Sequence, residues 1–221
     1  MNFKKRIVCL ANSRKLSGRC LAGREISGRS LGDWIRPVSS RPNEEISLEE
    51  RRFQDGSEPA LRDLLEIPMI EGRPHECQVE NHLIDHEYYW TKVGEFPSTQ
   101  LRTLCETPAT LWINGYRSYN GLNDRIPQAE AAVLPSSLVL IEPRDLSLCV
   151  ERGLKKLQVR ADFAFLGEPY KLTVTDPDVE RSSLSQGEGR YPYPRPAVAC
   201  ISLGEPFDGY RYKLMASLID I

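Results

Sequence analysis

Residues 156–174 read KLQVRADFAFLGEPYKLTV, and Leu157, Val159, Ala161, Phe163 and Phe165 fall on alternate positions. Gly167-Glu168-Pro169 interrupts the run, and Tyr170, Leu172 and Val174 then alternate again. A period of two puts the apolar side chains of a strand on one face. Two such runs joined by a tight turn read as an antiparallel hairpin. A hairpin with one greasy face must be covered by further strands, so this stretch commits its half of the chain to a packed sheet. A second hairpin of the same kind follows, from residues 197–203 and 210–219 around GEPFDG.

The amino-terminal half carries the same material less regularly. Residues 6–10 read as a strand, residues 11–15 (ANSRK) as a polar, basic turn, and residues 19–26 as a second extended segment after Gly18. WIRPV, 34–38, is extended and is stopped by Pro37 and the Ser-Ser-Arg-Pro that follows. Ser47 and Glu50 have capping-box spacing, which predicts a helical turn within 47–53. LLEIPMI, 64–70, reads as a buried strand broken at Pro68, and 77–85 as a strand or a connector. Residues 97–107 predict a short helix with Ser98 as its N-cap. Residues 128–133 are a short alanine-rich segment, 138–141 (LVLI) a brief apolar run, 146–151 an alternating one, and 181–196 a Gly/Ser/Pro-rich loop.

Sixteen prolines and fifteen glycines in 221 residues fit a turn-rich fold, mainly β with short helices. Each half begins with a short strand, carries a basic or turn-rich loop and ends in hydrophobic strand material. The expectation is two tandem OB-like β-barrels packed together, the first over residues 1–110 and the second over 111–221.

The net charge of −2 conceals an uneven distribution. Lys4, Lys5, Arg6, Arg14, Lys15, Arg19, Arg24, Arg29 and Arg36 are opposed in their stretch only by Glu25 and Asp33, whereas residues 43–106 are rich in Glu and Asp. A cationic face suits phosphate, and it equally suits a solvated surface paired to the acidic middle. No stretch approaches the ~18 apolar residues that cross a bilayer, so a cytoplasmic protein without a membrane partner is expected. Cys9, Cys20, Cys77, Cys105, Cys149 and Cys200 are scattered and form no Cys-x-x-Cys pair, which reads as ordinary thiols.

The strings RIVCLANSRKLSGRC, WIRPVS, LLEIPM, ENHLID, YKLTVTDP and ISLGEPFDGYRYKL together resemble the dual OB-containing domain family of prokaryotes, over about residues 5–219. The resemblance implies two OB-like barrels. It also implies a nucleic-acid-binding or sensing role, often in prokaryotic defence or antiviral settings, and the expectation is an accessory subunit of a larger system. It carries over no residue-level site, so candidate residues rest on their chemistry.

The first candidate site is Asn12, Arg14, Lys15, Arg19, Arg24 and Arg36, with Trp34 offering a stacking face: cations and amides for phosphate, a ring for bases. The alternative puts Trp34 in the core and the arginines in ion pairs. The second is GEGRYPYPRP, in which Arg190, Tyr191, Tyr193 and Arg195 are interleaved with stiffening prolines. It suits bases, a partner protein, or a loop that merely covers a barrel. The third, NGYRSYNGLNDR at 114–125, is a polar aromatic cluster readable as the lining of an inter-barrel groove or, preferably, as a hydrogen-bonded linker. His75, Cys77, His82 and His86 are metal-competent but lack finger spacing, so no metal site is assigned. There is no P-loop, Gly-x-Gly-x-x-Gly, His-Glu-x-x-His or Gly-x-Ser-x-Gly, so no cofactor and no catalytic residue is assigned. A metal-dependent nuclease using Asp176 and Asp178, with Asp124, Glu80 or Asp85, is the weakest reading. A nucleic-acid binder leads, and a protein-interaction module built on the Tyr/Pro loop and the acidic middle is its rival.

Overall fold

In this computed structural model, residues 3–28, 30–153 and 156–221 are described, leaving Arg29 of the basic stretch outside. The first strand, β1 (Phe3–Lys15), is longer than its apolar run and passes straight through ANSRK. Ala11 and Ser13 keep a buried side while Asn12 and Arg14 face outward, so a polar string still alternates. The expected turn therefore shrinks to Leu16 and Ser17: Arg14 pairs with Arg19 and Lys15 with Gly18 of β2 (Gly18–Ser27). The cations stand on strands, not in a loop.

β3 (Ser30–Val38) follows, then α1 (Leu48–Arg51), β4 (Asp63–Gly72), β5 (Asn81–Ile84), β6 (Thr91–Glu95) and a 3-10 helix, Ser98–Leu104. The capping box forms in full: the Ser47 hydroxyl accepts from Glu50 N, and the Glu50 carboxylate accepts from Ser47 N. β4 is not broken at Pro68. On one edge it pairs with β6 as far as Glu66 and with β5 from Met69, so proline falls in the gap between neighbours. The strands run β1-β2-β3-β5-β4, β3 and β5 are parallel, and β4 returns to pair with β1. That closes a barrel around Ile7, Cys9, Leu21, Ile35, Ile46, Leu65, Ile67, Met69, Ile84 and Trp90.

The second unit contains β7 (Arg125–Pro127), α2 (Gln128–Ala132), β8 (Leu138–Ile141), β9 (Arg144–Arg152), β10 (Leu157–Phe165) and β11 (Glu168–Val174). It continues with α3 (Pro177–Leu184), β12 (Gly189–Pro192), β13 (Ala197–Phe207) and β14 (Tyr210–Asp220). Both sequence-predicted hairpins form, β10–β11 with a turn at Leu166-Gly167 and β13–β14 with a turn at Asp208-Gly209. The stretch read as a loop from residue 181 holds the end of α3 and all of β12. Asp176 starts that helix: its carboxylate accepts from the N–H groups of Asp178 and Val179, and Pro177 occupies the first turn, where its missing N–H costs nothing. The strand path β9-β10-β11-β14-β13, with β11 and β14 parallel, repeats the order of the first barrel. β12 extends it beyond β9 and β8 beyond β13. Phe163, Phe165, Tyr170, Leu172, Val174, Ile201 and Met215 fill its interior.

The chain thus divides into two compact units, Met1–Leu104 and Cys105–Ile221.

Candidate nucleic-acid interface

In β10, Val159 and Ala161 enter the core, so Gln158 and Arg160 stand on the other face. Thr173, between Leu172 and Val174 of β11, is placed in the same way, as are Tyr212 and Leu214 of β14. With Gly204, Glu205, Phe207 and Asp208 from the β13–β14 hairpin, and Ser118, Tyr119, Asn120 and Arg125 from the preceding segment, they line a cavity of about 640 Å³.

The segment that completes this cavity is NGYRSYNGLNDR, stitched to the second barrel by side chains. The buried Asp124 carboxylate accepts from the Ser118 N–H at 2.7 Å, from the Ser118 hydroxyl, and from Arg160 Nη1 at 3.3 Å. Arg160 Nε also lies 3.3 Å from Glu151, whose other oxygen Lys171 holds at 2.6 Å. Leu122 and Lys171 exchange backbone hydrogen bonds, and Asn120 Nδ2 donates to the Arg152 carbonyl at 3.0 Å. A Cβ on Gly121 would fall 1.8 Å from the Asp124 carboxylate, so the loop requires glycine there. Held on both sides, Tyr119 is 95% exposed.

Phe207 is displayed by the opposite device, the tip of a hairpin. Asp208 and Gly209 both take positive φ (51° and 75°), as a two-residue turn matched to the twist of its strands demands. Phe207, next to that turn, is 71% exposed, with its ring 6.3 Å from that of Tyr212. Arg125 lies 3.9 Å over the Tyr210 ring, and among the described residues it makes no ion pair. Arg160, by contrast, is neutralised by Asp124 and Glu151.

On the inner side of the same strand β14 the order is inverted: Arg211 and Lys213 are fully buried. Lys213 Nζ donates to the Ile113 carbonyl at 2.8 Å and to Asn114 Oδ1 at 3.0 Å, and lies 5.4 Å from the centre of the Tyr170 ring. Burial pushes its pKa down to about 7 against the pull of Asp124. A neutral amine has two N–H donors, and both have an acceptor here.

The residues picked out from sequence fall into two groups. In the first barrel, Asn12 Nδ2 donates to the Pro59 carbonyl, and Arg14, Lys15 and Arg19 stand at the end of the β1–β2 hairpin. Arg24 donates to the Gly32 carbonyl and sits 5.7 Å over the Trp34 ring. Trp34 is only 7% exposed and Arg36 3%, the latter 3.3 Å from the equally buried Glu80. In the second barrel, Arg190 pairs with Asp162 and Arg195 with Asp220. The phenol of Tyr191 donates to the Gln186 carbonyl and that of Tyr193 to Asp220. Burial and Asp220 raise the Tyr193 pKa to about 12. These two rings are seated against the barrel core.

The histidines do not gather around Cys77. His75 closes a turn with Gln78, His82 Nδ1 lies 2.9 Å from the Glu80 carbonyl, and among the described residues no group of three or more His, Cys, Asp or Glu is placed to hold a metal ion. Asp176 is committed to the start of α3 and to Leu218 N, and burial raises its pKa.

Gln158, Arg160, Phe207 and Tyr212 escaped the sequence reading. Their signal was weak but present. In YRYKL the tyrosines alternate with cations, and only the strand's orientation says which set faces the core. Phe207 is an apolar residue at a Asp-Gly turn, where a side chain has no core to enter.

Two barrels, each with the strand path first-second-third-fifth-fourth, a parallel pairing of third with fifth and a helix between third and fourth, define a pair of OB-like modules. The chain belongs to the dual OB-containing domain family, whose model matches residues 5–218. No curated protein and no solved structure gives a match to it. Among the described residues no helix is long and apolar enough to cross a membrane.

Proposed function

We propose that this chain is a non-catalytic nucleic-acid-binding module, and that the second barrel holds single-stranded DNA or RNA on the cavity face. OB-folds bind oligonucleotides on the face of their second and third strands and on the loops joining first to second and fourth to fifth. In the second barrel those places are β10, β11 and the Asp208-Gly209 turn. The observation that carries the reading is the exposure of Tyr119 and Phe207 there, beside Tyr212 and an Arg125 with no ion pair among the described residues. Base–aromatic stacking contributes about 1–3 kcal/mol per base. Arg14, Lys15 and Arg19 on the first barrel's hairpin are further candidates for phosphate contact. A role as an accessory or sensing subunit of a prokaryotic defence system goes with this reading.

The rival is a protein-interaction module, favoured by the net charge of −2 and by the ion pairing of Arg190 and Arg195. Fluorescence anisotropy of labelled single-stranded DNA, single-stranded RNA and duplex DNA separates the two. The expected result is single-strand binding that falls at least about tenfold in a Tyr119→Ala/Phe207→Ala double variant, from the two lost stacks. Absence of binding at low salt, or binding that the double variant leaves intact, sinks the assignment of this face.

A further inference from the structure

Resting on that reading, we infer that the cavity accepts a single nucleotide unit, one base with one phosphate, and does not track a phosphate chain. The first argument is size. A volume of about 640 Å³ lies in the range of pockets that enclose small molecules, about 300–1,000 Å³.

The second argument is charge. A protein that follows a single strand neutralises successive phosphates with a series of cations. Among the described residues, Arg125 and Arg160 are the cations that line this cavity. Arg160 is held between Asp124 and Glu151, and its task is to fasten the Tyr119 segment to the barrel. Arg125 remains, stacked on Tyr210, with its Nε buried and without a hydrogen-bond partner. Glu205 is paired with Arg211 at 3.8 Å, and Asp208 at the hairpin end repels a phosphate that continues past it. Among the described residues, one cation is therefore left to take one phosphate.

The third argument is the distribution of rings. Phe207 and Tyr212 are neighbours, tilted by 53°, and do not form a row of parallel platforms along a groove. Such a pair seats one base. Gln158 adds an amide on the cavity floor, with both a donor and an acceptor for a base edge.

Two sources supply this chemistry: the end of a strand, or a free nucleotide. The experiment is titration calorimetry of the full chain with adenosine, guanosine, cytidine and uridine 5′-monophosphates, a linear 12-mer RNA, a linear 12-mer DNA and a circular single strand. Each is measured at two salt concentrations. The expected result is saturable one-to-one binding of a mononucleotide, with log K falling by about 0.7 per decade of salt, the value for one phosphate on a single strand. Arg125→Gln and Phe207→Ala should each weaken it at least about fivefold, and an unchanged thermal midpoint certifies their folding. Linear strands that bind while the circle does not identify the strand end, and mononucleotides alone identify the free ligand. Either result supports the single-unit site, and the second overturns strand binding in favour of a free nucleotide. Strands and circle binding with a slope of two or more per decade, and no mononucleotide binding, overturns the single-unit site while leaving the nucleic-acid reading intact. No binding of any probe overturns both.

Discussion

In the first barrel, Trp34 and Arg36 flank the core residue Ile35 and so point away from the barrel interior. In the second, Gln158 and Arg160 flank the core residue Val159 in the same way. These are equivalent faces of two sheets with one strand order, yet they are finished differently. On the first, Arg24 covers Trp34, and Arg36 is buried against Glu80 and Asn81. On the second, Arg160 is drawn to Asp124 and Glu151, and the surrounding rings and hairpin leave a cavity with Tyr119 and Phe207 at large in solvent. A fold fixes where a binding face lies, and the side chains decide whether it is a site or part of the scaffold.

The contrast breaks most visibly at Glu80. If Arg36 is part of the scaffold, Glu80→Ala leaves a guanidinium buried beside a missing partner, which costs about 3–5 kcal/mol. Replacing both, as Arg36→Met/Glu80→Leu, should recover most of it, because an apolar pair has no charge to desolvate. Urea unfolding measures both. A loss below ~1 kcal/mol for Glu80→Ala would instead mean that Arg36 reaches water, as a ligand-binding arginine must.

Lys213 tests how firmly the second barrel is built beneath its open face. Its folded pKa of about 7 lies below the ordinary 10.5. Between those values the unfolded chain binds a proton that the folded chain does not, so stability rises with pH. The contribution is complete above the unfolded value and is lost as pH falls to the folded one. The slope is about 1.4 kcal/mol per pH unit, so urea unfolding at pH 9 and pH 7 should differ by about 2–3 kcal/mol from this group. Lys213→Met should remove that slope, and a wild-type profile already flat would show that the amine is hydrated.

Binding separates the faces by a smaller amount. Phe207→Ala should weaken single-strand binding by about 1–3 kcal/mol, whereas Arg24→Ala in the first barrel should change it by less than about twofold. Because Phe207 is so exposed, its removal should leave stability within ~0.5 kcal/mol. Equal losses of binding from the two variants would make the faces alike and remove the basis of the comparison.

How much of this was readable in advance follows from range of interaction. The β10–β11 hairpin, the capping box at Ser47 and the short helix within 97–107 were legible because each depends on neighbours in sequence. Pro68 misled because strand partners far away in the chain decided it, β4 changing neighbours there, and ANSRK misled because its polar string keeps a strand's alternation and pairs with the adjacent β2, leaving only Leu16 and Ser17 to turn. The candidate face was the hardest part. NGYRSYNGLNDR advertised its aromatics, but that Asp124 would fasten it to Arg160 depends on contacts 36 residues apart. The charge of Arg36 was visible, and the Glu80 that buries with it was not.

The smallest effect is expected where the sequence was most suggestive. Arg195 and Tyr193, in the proline-rich loop after β12, look like a cation and a ring on offer. In the fold both are turned to Asp220, which accepts the Tyr193 hydroxyl at 2.5 Å and pairs with Arg195 at the same distance. Arg195→Gln removes one of these partners from a carboxylate that is 38% exposed, so water takes the vacated place. An exposed pair of this kind contributes at most ~1 kcal/mol to stability, less after screening by salt. Strand binding should change by less than about twofold, because the guanidinium is already committed to a carboxylate and the Tyr193 ring to the barrel core. Anisotropy titrations of Arg195→Gln beside Phe207→Ala read the difference directly. If Arg195→Gln proves the more damaging, the bases lie on the tyrosine-proline loop, and the cavity face is scaffold like its counterpart in the first barrel.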